Sequence, residues 1–368
     1  MRIKWAVAAL LCLLLALPAM AEEGSLSVLG VDVPQGATTV DLTSLTKVTK
    51  KQAQELSKAL GVLPDAAEVD LRGVTVDRGG QSELLAAHPG VHFLWEVSLA
   101  GVLVDGDATE LNIDELGISA KTELKEIRAA IACLPKLEHV TMYSFIYAKN
   151  TMEKLLADYP DVQFDWSIHW NICSGRVVNL RTDATAFSTL KGRQDPRYTA
   201  SQIMDYLQYT PDLLAIDVGH NNVSDLSFLA NWPGLRRLIC IDSKKPVTDI
   251  SVLADLPDLE YVELFMQNIT DLSPLANHTK LLDLNLCHNS IEDFSPLYSC
   301  TSLERLYISN NPGLNDEAIA ALQAALPNCL IETEVWGSTD AGWREHPRYF
   351  TMYHSFEDNT YYPFEDAE

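Results

Sequence analysis

The sequence predicts an α/β solenoid, with a curved parallel sheet on its concave face and helices or short helical turns on its convex face. Three observations carry this. Residues 259–302 read as two lines, LEYVELFMQNITDLSPLANHTK and LLDLNLCHNSIEDFSPLYSCTS, which match position by position at a period of 22. Each line opens on L-x-x-(V/L)-x-L, whose apolar side cannot be buried within one copy and is buried only when copies stack. A proline also recurs ahead of such patterns. After Pro64, Pro135, Pro211, Pro233 and Pro257 the apolar residues fall at the fifth and seventh positions, as in Val140 and Met142, Ile216 and Val218, or Val262 and Leu264.

Each position of the repeat has a physical reason. The L-x-L core is a short strand with alternate side chains inward. An asparagine slot follows, filled by Asn221, Asn289 and Asn311. Buried there, an amide can satisfy backbone groups of adjacent coils. Ser273 and Ser295 stand where a helix N-cap is wanted, and Pro274 and Pro296 follow at the first helical position. Strand, turn and short helical return make one coil.

On these residues the chain resembles the leucine-rich-repeat family, in its 22-residue, internalin-like form. The regular region is 213–314, with five repeats beginning at Leu213, Leu235, Leu259, Leu281 and Leu303. The repeat from Leu235 has two extra residues and puts Cys240 in a leucine slot. The resemblance implies the solenoid fold. For function it implies a binding surface and leaves the partner open.

Residues 39–212 are expected to form an irregular leucine-rich-repeat-like region with long helices. Val40 to Leu42 and Val69 to Leu71 are its first strands. Thr49 caps a helix through Leu60, with Ala53, Leu56 and Leu60 on one face. Further helices are predicted over 82–88, 122–134, 150–159 and 199–209. After Pro89 and Pro160 the apolar residues alternate instead. Val91, Phe93, Trp95 and Val97 match Val162, Phe164, Trp166 and Ile168, and Cys329, Ile331, Thr333 and Val335 are a weaker third copy. Pro89 and Pro160 are 71 residues apart, as are Val69 and Val140. A long unit is therefore duplicated between about Pro64 and Arg181, with hairpin turns at 101–106 and 174–175. The rival reading is a separate α/β domain ending near Arg193, with 191–197 as a linker. In the terminal region, 315–368, Asn315 to Leu326 is an amphipathic helix. The aromatic, acidic stretch 336–368 is read as a cap over the last coil.

The chain begins MRIKWAVAALLCLLLALPAMA. A basic start, an apolar run and an A-x-A site make residues 1–21 a signal peptide of bacterial style, followed by a lead-in over 22–38. The expected product starts at Glu22 and is secreted or extracytoplasmic. No later apolar run is long enough to span a membrane. Cleavage removes Arg2 and Lys4, taking the formal charge from −24 to −26, with 25 Lys+Arg against 51 Asp+Glu. Such acidity disfavours nucleic acid. Export permits disulfides among Cys133, Cys173, Cys240, Cys287, Cys300 and Cys329, although a cysteine in a leucine slot suits a buried thiol. With no C-x-x-C, no structural zinc site is expected.

No catalytic motif is present: H-E-x-x-H, G-x-S-x-G, the P-loop and the dinucleotide fingerprint are all missing. No catalytic residue, cofactor or metal ligand is assigned. His220 and His288 hold equivalent repeat positions three coils apart, too far for one ion, and read as solvent-facing residues after a strand. Asp225, Asp249, Asp271 and Asp293 form a column. It reads as the opening of each return turn rather than a calcium ladder. Asp41, Asp70 and Asp217 sit mid-strand, with nothing pairing them at glycosidase distance. Trp95, Trp166 and Trp170 could stack on sugars, but Trp95 and Trp166 fall in phase with buried Val and Phe.

The functional expectation is an exported, non-enzymatic module that binds a protein of the envelope or host surface through its concave face. A carbohydrate- or cell-wall-binding protein is one alternative, and a hydrolase with its site in the irregular half is another. Residues between the inward leucines point out of the sheet. Arg237, Tyr261, Asp283 and Arg305 then form one column. Ile239, Glu263, Asn285 and Tyr307 form the next, and Ile241, Phe265, Cys287 and Ser309 the third. Exposed aromatics and arginine are enriched at binding hot spots. The candidate partner-binding set is therefore Arg237, Ile239, Tyr261, Glu263, Phe265 and Tyr307.

Overall fold

The structure, a computed structural model, describes residues 24–173, 176–189, 198–336 and 340–364. The leader with its cleavage site, the turn candidate Ser174–Gly175 and the stretch 191–197 lie outside the described residues. The chain divides into two compact units, one ending at Val140 and the other beginning at Thr141.

The first unit opens on an antiparallel hairpin, β1 (Ser25–Val28) against β2 (Val31–Pro34). Then come β3 (Thr39–Asp41), β4 (Lys47–Val48), α1 (Lys50–Leu60), β5 (Glu68–Asp70), β6 (Thr75–Val76), α2 (Arg78–Ala87) and β7 (His92–Leu94). Strands β3, β5 and β7 pair in parallel, with Val40, Val69 and Phe93 in one row, and β4 pairs in parallel with β6. Thr49 starts α1 through a capping box. Its Oγ1 accepts from Gln52 N at 3.3 Å, and Gln52 Oε1 accepts from Thr49 N at 2.9 Å. Ala53, Leu56 and Leu60 are its buried stripe. Helix α2 begins at Arg78 rather than Ser82, because Asp77 caps Gly80 N. Gly79 and Gly80 hide this first turn from propensity. Yet Gly80 is what the packing needs, since a Cβ there would lie 2.7 Å from Ala53 Cβ. The alternating run from Val91 is broken at Trp95. Its second part is β8 (Glu96–Leu99), in a hairpin with β9 (Val102–Asp105), and Ala100 and Gly101 turn at positive φ. β10 (Glu110–Asn112), α3 (Leu124–Ile131) and β11 (His139–Met142) follow, and the division between the units falls within β11.

The second unit continues with α4 (Lys149–Asp158) and the antiparallel pair β12 (Gln163–Cys173) and β13 (Arg176–Arg181). Helices α2 and α4 start 71 residues apart and end alike. Their C-caps, His88 (φ −133, ψ 63) and Tyr159 (φ −131, ψ 67), share one backbone shape. Next come β14 (Ala186–Ser188), α5 (Ala200–Leu207), β15 (Ala215–Asp217), β16 (Arg237–Ile239), β17 (Tyr261–Glu263), β18 (Asp283–Asn285) and β19 (Arg305–Tyr307). α6 (Asp316–Ala325), β20 (Leu330–Glu332) and α7 (Pro347–Asp358) complete it. Strands β14 to β20 form a seven-stranded parallel sheet in sequence order. Ile216, Leu238, Val262, Leu284 and Leu306 stand in one register row, each fully buried. They form the core between the sheet and the returns.

The asparagine slots act as the composition of the repeat implies. Asn289 Nδ2 donates to Leu264 O and Leu286 O at 2.8 and 2.9 Å, and its Oδ1 accepts from Ile269 N. Asn311 repeats the pattern one coil on. Gln267 fills the slot in the repeat from Leu259, donating to Cys240 O and accepting from Val247 N. The returns differ from expectation in one respect: they are short 3-10 turns, and the serines do not cap them. Asp225, Asp249, Asp271 and Asp293 each accept the amide two residues on at 2.8 Å. An aspartate turn needs fewer residues than a capped α-helix. Among the described residues no helix is long and apolar enough to cross a membrane.

Candidate functional site

The strand face pointing away from the returns carries the three expected columns, in the expected register. Arg237 pairs with Tyr261, Tyr261 with Asp283, and Asp283 with Arg305. Ile239, Glu263, Asn285 and Tyr307 lie alongside. All six candidate binding residues, Arg237, Ile239, Tyr261, Glu263, Phe265 and Tyr307, are thus on one surface. Their expected exposure is corrected. Arg237, Tyr261 and Tyr307 are fully buried, Ile239 and Glu263 nearly so, and Phe265 is half-buried. The chain's own C-terminal segment, 340–364, lies over them.

Helix α7 supplies most of the cover. Its inward residues are Arg348, Met352, Ser355 and Phe356, a helical stripe spaced by three and four. Pro347 takes the first helical position and Asn359 ends the helix in the left-handed region at φ 54. Trp343, Met352 and Phe356 pack with Ala186, Ala215, Ile239, Ile241, Tyr261, Cys287 and Tyr307. The chain then reaches the edge strand β14. Asn359 O accepts from Thr185 N, Asn359 Nδ2 donates to Ala186 O, and Tyr361 N donates to Thr185 Oγ1 at 2.7 Å. The segment therefore runs across the sheet face rather than capping the last coil, where Leu330 of β20 stays 49% exposed.

The contact is ionic as well as apolar. Asp283, fully buried, accepts from Arg305 Nε at 2.5 Å and from Arg348 Nε and Nη2 at 2.7 and 2.9 Å. Arg348 Nη1 reaches Glu304 at 2.6 Å. Arg237 donates to Glu260 at 2.8 Å and to Tyr362 O at 2.6 Å, and its guanidinium lies 3.7 Å from the Phe364 ring centre. Glu263 accepts from the Tyr261 hydroxyl and, at 2.9 Å, from Trp343 Nε1. Burial pushes the Glu263 carboxyl up, and pushes the Tyr261 hydroxyl well up. Arg237, Arg305 and Arg348 each meet an acid of the strand-bearing coils, and the Arg348 pairs tie α7 to the sheet.

Asp217 differs in kind, a buried acid held by neutral donors. It accepts from Ser188 Oγ at 2.7 Å and from Gly219 N at 2.9 Å, and burial raises its pKa from 3.8 to about 6. With the folded value above the unfolded one, the folded state binds the extra proton. Its contribution is then present below about pH 4 and lost as pH rises to about 6. Asp217→Asn keeps both bonds, with the amide donating to Ser188. The variant is expected to gain on the order of 1–3 kcal/mol at pH 7 and almost nothing at pH 4. Denaturant titrations at the two pH values check this, and an equal shift at both would show that burial is not the cause.

The remaining candidates resolve into structure. Trp95 and Trp166 are buried, Trp95 stacked on Phe93 and Trp166 edge-on to Tyr209. Trp170 is buried between Phe187 and Tyr206. All three are thereby withdrawn from sugar stacking. His220 and His288 share the left-handed φ of 58 that each strand exit requires, with Asp242, Met266 and Asn310 at the same place in other coils. His220 pairs with Asp242 of the next coil at 3.0 Å, and Asn310 lies 3.1 Å from His288. Asp41 is held by Thr43 and Asp70 by Arg72, so they make no catalytic pair. Cys133, Cys240, Cys287, Cys300 and Cys329 are unpaired, buried thiols. Burial drives the Cys240 thiol to about 12.

Repeated coils of strand, asparagine slot and short return, stacked into a parallel sheet, define a leucine-rich-repeat solenoid. Residues 279–322 match the family model described as Leucine Rich repeats (2 copies). No curated protein matches it. Among solved structures it is similar to internalin C2 of Listeria monocytogenes, at 23% identity over 41% of this chain and 71% of that one, with a TM-score of 0.33. It is similar to a second Listeria monocytogenes internalin, inlF, at 18% identity over 83% and 76%, TM-score 0.33. It is also similar to a leucine-rich-repeat protein of Leptospira interrogans, at 13% identity over 78% and 81%, TM-score 0.34.

Proposed function

We propose that this chain is an exported, non-enzymatic protein-interaction module whose recognition surface is the outer face of the β14–β20 sheet. One observation carries the reading. The residues on that face are those of a protein–protein contact: tyrosines, arginines and acids that pair with groups of another chain segment as well as with one another. A sheet face that served only as core would be apolar, since buried ion pairs add little stability over well-packed apolar groups. Arginine and aromatics are the anchors that protein partners use. The leader sequence supports export to an envelope or a host surface, where such a partner would be met. Affinity capture with the mature protein from envelope and host-surface extracts, run beside a glycan array, tests the reading. A saturable protein partner, with no retained glycan, is expected. Retention of glycans with no protein would sink it.

A further inference from the structure

We infer that the C-terminal segment 340–364 is a tethered ligand of the solenoid, and that the face beneath it takes a helix of the same chemistry from a protein partner. This rests on reading the sheet face as a recognition surface. The matching partner is an amphipathic helix with three features. It carries an arginine for Asp283, an N–H donor from a large aromatic for Glu263, and an aromatic ring for the guanidinium of Arg237. Beyond its C-terminus an extended stretch hydrogen-bonds to the edge of β14.

Three observations lead there. First, the segment adds no strand to the sheet. The buried row through Leu238, Val262, Leu284 and Leu306 alternates with the outward columns and lies outside the cluster that holds Trp343, Met352 and Phe356. Lifting the segment leaves that core whole. Second, the bonds between segment and sheet are mostly charged or side-chain bonds: Arg348 to Asp283 and Glu304, Trp343 to Glu263, and Arg237 to Ser355 and Tyr362. Such groups are well solvated when apart, so their pairing gives specificity more than stability. Third, β14 is a sheet edge, and the backbone of 359–361 pairs beside it at Thr185 and Ala186. An extended peptide reads such an edge by the same hydrogen bonds. Because the segment is joined to the solenoid, it holds the face at a high effective concentration, and a partner must outcompete it.

The test uses the full chain. In hydrogen exchange, amides of α7 are expected to exchange at least about 100-fold faster than those of β16 to β18, through an opening that leaves the sheet protected. Exchange of both at one common rate overturns the proposal, because the segment is then an inseparable part of the core. A labelled peptide of residues 340–364 is then titrated against the wild-type chain and against Arg348→Ala. That variant weakens the tethered copy and leaves the face intact. The Arg348→Ala chain is expected to bind the peptide at least about tenfold more tightly, as the competent fraction rises. Asp283→Ala is expected to abolish peptide binding. Equal binding to wild type and Arg348→Ala, or loss of the folded sheet in Arg348→Ala, counts against the proposal. Such a failure leaves protein capture by the whole chain unaffected and so is separable from failure of the interaction reading.

Discussion

Asp283→Ala is expected to weaken the seating of the C-terminal segment by about 3–5 kcal/mol, the range for breaking a buried pair by removing one partner. The aspartate is fully buried and accepts from both Arg305 and Arg348. Its loss strands two guanidinium groups, and Arg305 Nη2 already has no hydrogen-bond partner. Asp283→Ala combined with Arg348→Met is expected to lose less than Asp283→Ala alone, because one stranded charge is gone. Hydrogen exchange of α7 reads the effect. Wild-type protection of α7 in Asp283→Ala would show that the ion pairs do not hold the segment.

Leu284→Ala, one residue on, is expected to act on the other side of the sheet. Leu284 points into the core between sheet and returns, in the register row between Val262 and Leu306, and is fully buried. Its truncation should cost about 2–5 kcal/mol, by lost transfer free energy and a residual cavity. The loss should fall on the sheet itself, lowering the midpoint of denaturant unfolding and the protection of β17 to β19. A change under about 0.5 kcal/mol would mean that the inward face has been assigned to the wrong residues. The pair separates two roles carried by adjacent residues of β18. One affects what lies on the sheet, and the other affects the sheet.

The regular coils were legible because a period of 22 repeats every constraint at once. The L-x-L row, the outward columns and the asparagine slots all land in the expected register. The aspartate column was legible as turn chemistry. Other parts were hidden for specific reasons. β14 carries Ala186-Phe187-Ser188 in place of L-x-L and sits 29 residues before its neighbour β15, outside the repeat period. Helix α2 opens on two glycines. Helix α7 buries an arginine and a serine on its inward stripe, so no apolar period marks it. The covering of the sheet face was the least visible feature. It depends on partners such as Asp283 with Arg348 and Thr185 with Tyr361, 65 and 176 residues apart. Aromatic and charged side chains on a strand look the same in sequence whether water or the chain's own terminus covers them. That is why Tyr261 and Tyr307 read as exposed.

The chain's own C-terminal segment covers the outer face of the β14–β20 sheet. Hydroxyl-radical footprinting of the intact protein, read by mass spectrometry, tests it most directly. Tyr261, Tyr307, Trp343 and Met352 are buried at the contact, whereas Met266, Trp336, Phe350 and Tyr353 are exposed on the same unit, so they serve as internal references. The account predicts that the first four stay nearly unmodified while the second four react freely. Oxidation of Tyr261 and Tyr307 at the rate of Tyr353 would contradict it, and would return the sheet face to open solvent.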